Sequence, residues 1–230
     1  MILVALALAG IGAADLVRQF VPRPRQWIGY VAGAVAVLAL GVLGGAAIAA
    51  IGALVLAALW VWTMPDRTGS PAAFWPAVVL VVVCVVAVAL WGARPDAGLL
   101  GSAWPVRSPF GPMPFDLAAL AVGVLVFLLE SGNVVVRAAL AGERAEPPRT
   151  GFAGGRLIGP LERVLVLLLT LTAAYPLLAA VLAAKGIVRF PEISRDGESG
   201  ARAEYFLVGS LVSWVTALAG ALLVWWGAHS

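Results

Sequence analysis

The sequence predicts an all-α integral membrane protein: a polytopic helical bundle of six spans plus a short re-entrant or slanted hairpin, or of seven spans. Composition is the first indication, because 62% of the 230 residues are hydrophobic and only 12% are charged. In an ordinary soluble domain about 25% are charged. Several apolar runs also approach or exceed the ~18 residues that a helix needs to cross hydrocarbon. These runs are continuous rather than alternating, so they indicate helices and exclude a membrane β-barrel.

The first helix is predicted from about Ile2 to Val17, before the basic turn RQFVPRPRQ. Within it, Asp15 lies three residues before Arg18, a spacing that predicts a local ion pair. The segment Gly12-Ala13-Ala14 would suit a cleaving protease. A signal peptide, however, carries its positive charge before the apolar run, and here the arginines follow it. We therefore expect an uncleaved helix with its N-terminus outside.

The second and third helices are predicted within the apolar run from Trp27 to Trp62. A single helix of that length would extend ~54 Å, nearly twice the thickness of the hydrocarbon layer. Gly44-Gly45 is the only interruption, so it predicts a tight turn between two spans. A fourth helix is predicted from Ala72 to Trp91.

The segment 92–116 is too rich in proline and glycine to span a membrane, and it predicts an irregular loop with Trp104 and Phe110 at the level of the lipid headgroups. A fifth helix follows from Phe115 to about Leu140, with Asp116 placed favourably at its N-terminus. We divide the chain into N-terminal transmembrane helices, a cytoplasmic linker, and a C-terminal membrane segment that ends in a last span over Phe206–Trp226. Their ranges are 1–140, 141–160 and 161–230.

The segment 161–190 is either one span or a helical hairpin that turns near Tyr175-Pro176. One span would place nine of the 15 lysines and arginines inside and six outside, whereas a hairpin would place thirteen inside and two outside. Cytoplasmic loops carry the excess of basic residues, which favours the hairpin. Each half would be ~21 Å long, too short to span alone. The turn contains no glycine, however, and a kinked single helix stays as the alternative.

Glu130 is a candidate intramembrane polar residue, because it lies ~21 Å along the fifth helix from Asp116. Asn133 and Arg137 follow it at helical spacing, so the three side chains share one face. This face could form a polar pocket in which Glu130 accepts a proton or a cation. The alternative is a Glu–Arg pair that snorkels to the cytoplasmic boundary and fixes the depth of the helix.

A candidate interfacial site surrounds the ends of the predicted hairpin. Glu162, Arg163 and Lys185 bracket it, and in a hairpin Arg163 and Lys185 would both lie at its open, cytoplasmic end. They could bind lipid phosphate or a partner, or serve only as anchors in the headgroup layer. Stripes of small residues, such as Gly29 and Gly33, predict close packing of helices within the chain or in a homo-oligomer.

The residues exclude several kinds of site. The single histidine is His229, next to the last residue, and the single cysteine, Cys84, lies within an apolar run. They therefore offer no histidine or thiolate metal site and no Ser-His-Asp triad, and the glycines form no nucleotide-binding fingerprint. We predict no catalytic residues, no metal and no cofactor. The basic residues lie between apolar runs, so they indicate topology and lipid contacts rather than nucleic-acid binding.

Three motifs in the C-terminal part resemble a bacterial family of multi-pass membrane proteins with no assigned activity. They are IGPLER (158–163), AAKGIVRFPE (183–192) and EYFLVGSLVS (204–213), and they follow the order and spacing of the family pattern. The family's N-terminal His-x-x-Gly-Asp-Phe segment has no counterpart here, where GAADLVRQ (12–19) lacks the histidine. The resemblance implies a membrane fold and draws attention to a set of charged and aromatic residues: Glu162, Arg163, Lys185, Arg189, Glu192, Glu204 and Tyr205.

Three functions stay open at this point. The first is a non-enzymatic scaffold or a subunit of a membrane complex, in contact with the lipid bilayer and with a membrane-protein partner or a second copy of the chain. The second is a small transporter or channel that uses the face around Glu130. The third is an enzyme acting on a lipid-linked substrate at the cytoplasmic interface through Arg163, Lys185 and Glu192. In each case the expected location is a bacterial cytoplasmic membrane.

Overall fold

The computed structural model describes residues 1–64, 74–92, 94, 97–104, 107–108, 111–141, 155–193 and 201–229, and these residues are predominantly helical. The helices are α1 (Ile2–Phe20), α2 (Gln26–Leu43), α3 (Ala47–Thr63), α4 (Trp75–Leu90), α5 (Gly98–Ala103), α6 (Phe115–Leu140), α7 (Gly155–Leu171), α8 (Tyr175–Ile193) and α9 (Ala201–His229). A short 3₁₀ turn, Arg23–Arg25, precedes α2. The strands β1 (Arg107–Ser108) and β2 (Gly111–Pro112) form a two-residue antiparallel ladder.

Four of the described helical segments are long and apolar enough to cross a membrane, judged by length and composition. They are Ile2–Phe20, Arg23–Leu43, Phe115–Leu140 and Ala203–His229. The helices α3 and α4 and the segment Tyr175–Val188 of α8 are apolar but shorter. The all-α class is therefore confirmed, and the lengths and composition of the helices are consistent with a membrane protein.

Helix α1 lies at the centre of the bundle, against α6, α3 and α2. Glycines allow it to approach α6 closely, because a Cβ at Gly12 would lie 2.7 Å from the backbone of Val126 and one at Gly123 would overlap the carbonyl oxygen of Ala5. Ala5 lies beside Gly123, and the later residue Gly12 lies beside the later residue Val126, so α1 and α6 run parallel. Small residues at helix crossings are how membrane helices gain packing without a hydrophobic driving force.

Helix α9 runs antiparallel to α6, since Gly209 lies beside Leu140 while Gly220 lies beside Val124. The C-terminal end of α6 and the beginning of α9 are therefore at the same end of the bundle. Helix α7 packs against both of them. The predicted use of small-residue stripes for packing within the chain is confirmed, because Gly29 of α2 also contacts Val17 of α1.

The outer surface of the bundle is apolar. Helix α2 is only sparsely buried, with Val37 and Gly41 as its buried residues, and large hydrophobic side chains on α2, α3 and α4 are exposed. A water-soluble protein rarely exposes an apolar surface of this extent. The exposed residues that alternate with the buried ones include Val31, Val35, Ile51, Val55, Val78 and Val82.

The predicted Gly44-Gly45 turn is confirmed. Gly45 has a φ of +63°, which favours glycine, and Gly98 of α5 packs directly against it with a φ of +61°. Arg94 secures this turn: its Nη1 and Nη2 donate to the carbonyl oxygens of Gly45 and Gly44 at 3.1 and 2.9 Å.

The loop predicted as irregular, residues 92–116, contains the short helix α5 and the ladder β1–β2. Trp104 donates to the carbonyl oxygen of Met113 there, whereas Phe110 lies outside the described residues.

Helices α7 and α8 form an antiparallel hairpin. The chain reverses over residues 172–174, where Ala173 adopts a φ of +54° in place of the glycine that such a turn usually has. Pro176 is the second residue of α8, where a missing backbone N–H costs nothing. Helix α7 begins at Gly155, inside the range 141–160 that the sequence assigned to the linker.

Candidate functional site

Arg163 is buried in the helical bundle, with 1% of its surface exposed. Its Nε donates to the carbonyl oxygen of Leu128 at 2.9 Å, and its Nη2 donates to Oδ1 of Asn133 at 2.7 Å. Nη1 lies 3.5 Å from Oγ of Ser213 on α9. The sequence offered Arg163 as a group that binds lipid phosphate or a partner, or anchors in the headgroup layer; α7 instead directs its side chain towards α6 and α9.

Two glycines make room for the Arg163 side chain. A Cβ at Gly132 would lie 2.5 Å from Nε of Arg163, and one at Gly159 would lie 3.4 Å from Nη1 and 3.3 Å from Oδ1 of Asn133. The guanidinium therefore occupies space that any larger residue at position 132 would fill. In the sequence, Gly132 lies within the polar stretch Glu-Ser-Gly-Asn (130–133). A glycine between polar residues of a membrane helix is a pattern that could have indicated a side chain from another helix packing there.

Glu130, Asn133 and Arg137 share one face of α6, as the sequence predicted. Nδ2 of Asn133 donates to Oε2 of Glu130 at 2.9 Å, and both terminal nitrogens of Arg137 lie 3.4 Å from Oε1. Glu130 is 4% exposed, whereas the side chain of Arg137 is 49% exposed. The carboxylate is thus inside the bundle and faces no lipid, while the arginine reaches outward from it.

Asp15 is joined to two other helices. It accepts a hydrogen bond from Oγ of Ser131 on α6 at 2.6 Å and another from Nε1 of Trp60 on α3 at 2.9 Å. The predicted local pair with Arg18 is confirmed at 3.4 Å, but Arg18 also donates to the carbonyl oxygen of Val61 at 2.5 Å. Asp15 is 1% exposed. The sequence prediction missed Ser131 and Trp60, since spacing along one helix cannot indicate partners on others.

Glu162 links α7, α8 and α9. Its Oε2 accepts from Nζ of Lys185 at 2.6 Å, and its Oε1 accepts from Nε1 of Trp214 at 2.8 Å. Nζ of Lys185 also lies 5.4 Å from the centre of the Trp214 ring and 5.8 Å from that of Phe206. Cation–π contacts of this length are favourable, and more so away from water. Lys185 therefore has partners within the protein, and its side chain is 24% exposed.

The remaining residues of the predicted interfacial site do not join this cluster in the part of the chain that is described. Glu204 is exposed and Tyr205 is partly buried near the start of α9. Arg189 and Glu192 lie in the last turns of α8, but their side chains are outside the described residues. The predicted set thus divides: Arg163 belongs with Asn133, and Glu162 with Lys185.

A pocket of about 270 Å³ opens where α1, the 3₁₀ turn and α6 meet. Its lining includes two carboxylates and three arginines, which are Asp15, Glu130, Arg18, Arg23 and Arg137. Gln26 closes one wall, where its Nε2 donates to the carbonyl oxygens of Arg18 and Val21 at 3.2 Å. The sequence indicated a polar pocket beside Glu130, with Arg137 on the same face of α6, but it did not indicate that α1 and the 3₁₀ turn also contribute to the lining.

The described residues include no group of three histidine, cysteine, aspartate or glutamate side chains that could hold a metal ion. Comparison of the chain with protein-family models, with curated proteins and with solved structures gave no match. The resemblance in the C-terminal part accordingly rests on its three motifs alone. What the geometry offers is a set of buried hydrogen-bonded charges and one pocket with a basic side.

Proposed function

We propose that this chain is a multi-pass protein of a bacterial cytoplasmic membrane that acts as a non-enzymatic scaffold or as a subunit of a membrane complex. The observation that carries the proposal is the pairing of its buried polar groups. Among the described residues, every buried side-chain nitrogen or oxygen has a hydrogen-bond partner. In lipid an unpaired polar group costs several kcal/mol. Groups that satisfy one another in this way stabilise a helical bundle, which is the role that a scaffold or a subunit requires.

In this proposal the N-terminus is outside, and six spans are completed by the hairpin of α7 and α8. The parallel packing of α1 and α6 supports this arrangement, because it places the basic turn Arg23–Arg25 at the same end as Arg137. The beginning of α9 lies at that end as well. An excess of basic residues at one end is typical of the cytoplasmic side.

Cysteine labelling tests this topology. In a Cys84→Ser background, Arg149→Cys and Ser199→Cys should react with an impermeant maleimide only from the cytoplasmic side. His229→Cys should react only from the outside, since α9 ends at the opposite end of the bundle. Labelling of positions 149 and 199 from opposite sides would refute the hairpin arrangement.

Native mass spectrometry of the protein extracted from its own membranes tests the scaffold role. We expect a stoichiometric complex heavier than the 23.7 kDa chain, formed with another membrane protein or with a second copy. A chain that leaves the membrane only as a 23.7 kDa monomer, under conditions that preserve known complexes of the same membrane, would contradict the proposal.

The pocket beside Glu130 supports a second candidate, a small transporter. The apolar layer beyond the pocket argues against an open path, because Leu120, Val124, Ala217 and Ala221 are almost fully buried there. Proteoliposomes containing a pH-sensitive dye would distinguish the candidates: a proton-coupled carrier would dissipate a pH gradient, and Glu130→Gln would abolish this. The third candidate, an interfacial enzyme, has the least support, since Arg163 is buried and hydrogen-bonded to the bundle.

A further inference from the structure

We propose that the pocket between α1, the 3₁₀ turn and α6 binds a phosphate group, carried either by an anionic phospholipid of the surrounding leaflet or by a soluble phosphate. Its volume of about 270 Å³ is close to the lower end of the ~300–1,000 Å³ found for small-molecule sites. That size suits a headgroup or a small anion.

Arginine provides the charge for such a ligand. Arg18, Arg23 and Arg137 line the pocket, against the two carboxylates of Asp15 and Glu130. The carboxylates are 1% and 4% exposed, so they lie beneath the pocket surface. Arg23 is exposed and half of the Arg137 side chain is exposed, so the cations reach the opening. Arg18 and Arg137 also contact the two carboxylates, so Arg23 is the cation best placed to receive a ligand at the opening. Guanidinium groups bind phosphate oxygens in a bidentate manner.

The backbone holds Arg23 in position. Pro22 and Pro24 flank it and fix their own φ angles, which limits the conformations of the turn. Nε2 of Gln26 donates to two carbonyl oxygens at the end of α1 and closes the turn from the other side. Preorganisation of this kind reduces the entropy lost when a ligand binds.

Exposed aromatic residues lie on both sides of the 3₁₀ turn, and Phe20 also lines the pocket. Phe20 precedes the turn and is 66% exposed, and Trp27 follows it and is 64% exposed. Aromatic side chains at the ends of membrane helices lie at headgroup level. The phosphate groups of the phospholipids also lie in the headgroup layer, so the pocket opening would be close to them. This inference uses the membrane location and orientation proposed above but not the scaffold role.

Arg25 provides a matched control for the test. It is exposed in the same 3₁₀ turn, two residues from Arg23, and it does not line the pocket. Arg23→Gln, Arg137→Gln and Arg25→Gln remove the same charge, so they change the net charge of the protein equally. Any difference among them reports the pocket rather than general attraction to anions.

The experiment has two arms, both with the purified full-length chain in detergent micelles. In the first, native mass spectrometry measures the retention of added phosphatidylglycerol against phosphatidylcholine. In the second, isothermal titration calorimetry measures the binding of inorganic phosphate. Loss of one charge-assisted hydrogen bond should weaken binding about 10- to 100-fold for Arg23→Gln and Arg137→Gln. Arg25→Gln should stay within about twofold of the wild type.

A lipid ligand predicts selective retention of phosphatidylglycerol with little binding of inorganic phosphate, and a soluble ligand predicts the reverse. Both results support a phosphate site and identify its source. The proposal is overturned if the wild type binds neither probe, or if Arg23→Gln behaves like Arg25→Gln in both arms. If Arg137→Gln does not fold, Arg23→Gln alone decides. Failure of the scaffold role would leave these outcomes unchanged, since no partner protein is present.

Discussion

Arg163 on α7 donates a hydrogen bond from Nη2 to Oδ1 of Asn133 on α6, and Asn133 in turn donates from Nδ2 to Glu130. One amide side chain thus joins a buried cation of the hairpin to a buried anion of the central bundle. Each of the two charges has further partners: Arg137 lies 3.4 Å from Glu130, and Arg163 also donates to the carbonyl oxygen of Leu128. The Asn133 side chain therefore couples the hairpin to the charged face of α6.

Replacement of this arginine should reduce stability substantially. Arg163→Met keeps most of the volume but leaves the carbonyl oxygen of Leu128 and Oδ1 of Asn133 without their donor. We expect the free energy of unfolding to fall by about 2–4 kcal/mol, because removing one member of a buried polar network leaves the others unsatisfied. Titration with SDS in mixed micelles, followed by tryptophan fluorescence, measures this quantity.

Arg25→Met is the control for Arg163→Met, since Arg25 is exposed, and it should change the free energy of unfolding by less than about 0.5 kcal/mol. Gly132→Ala provides an independent test from the facing helix, because its Cβ would lie 2.5 Å from Nε of Arg163. It should also destabilise the protein. If Arg163→Met and Gly132→Ala are both as stable as the wild type, Arg163 is not in the buried position described.

The contact between Glu162 and Lys185 should hold the two arms of the hairpin together with a modest coupling energy. A double-mutant cycle with Glu162→Gln and Lys185→Met should give about 0.5–1.5 kcal/mol, typical of polar pairs between membrane helices. Additive effects of the two substitutions would contradict the direct contact.

Adding a methyl group at Gly123 should disturb the close packing of α1 against α6. Gly123→Ala would place Cβ against the carbonyl group of Ala5, so we expect a loss of about 1–3 kcal/mol from overpacking. Gly186→Ala on α8 is the matched control, because nothing lies within 4 Å of its Cβ position. There the higher helix propensity of alanine should add about 0.5–1 kcal/mol. Thermal unfolding in the same micelles compares the two, and equal effects would refute the close contact.

The sequence predicted features that depend on neighbours along the chain. Helix α6 has the predicted bounds Phe115–Leu140, and the turn at Gly44-Gly45 is where the length of the apolar run required it. The common face of Glu130, Asn133 and Arg137 also follows from helical spacing. These features need only the rise of a helix, the thickness of a bilayer and the conformational freedom of glycine.

Contacts between helices were harder to predict. In a soluble helix the apolar stripe marks the buried face, but membrane helices are apolar on all sides, so no stripe indicates how a helix is rotated. Arg163 was therefore expected at the lipid interface although it faces α6. The same difficulty applies to Arg94, whose Nε and Nη2 donate to Asp116 at 3.0 and 2.9 Å across 22 positions.

The hydrogen bond between Asp15 and Ser131 has a consequence for biosynthesis. The two residues are 116 positions apart, and synthesis at ~5–20 residues per second separates them by about 6–20 s. Throughout that interval α1 has left the ribosome with a carboxylate in its last turns, while its partner helix does not yet exist. Arg18 is available at once and Trp60 soon after, so they accompany the carboxylate through insertion. The place of α1 at the centre of the bundle is therefore reached late, when α6 arrives to enclose it.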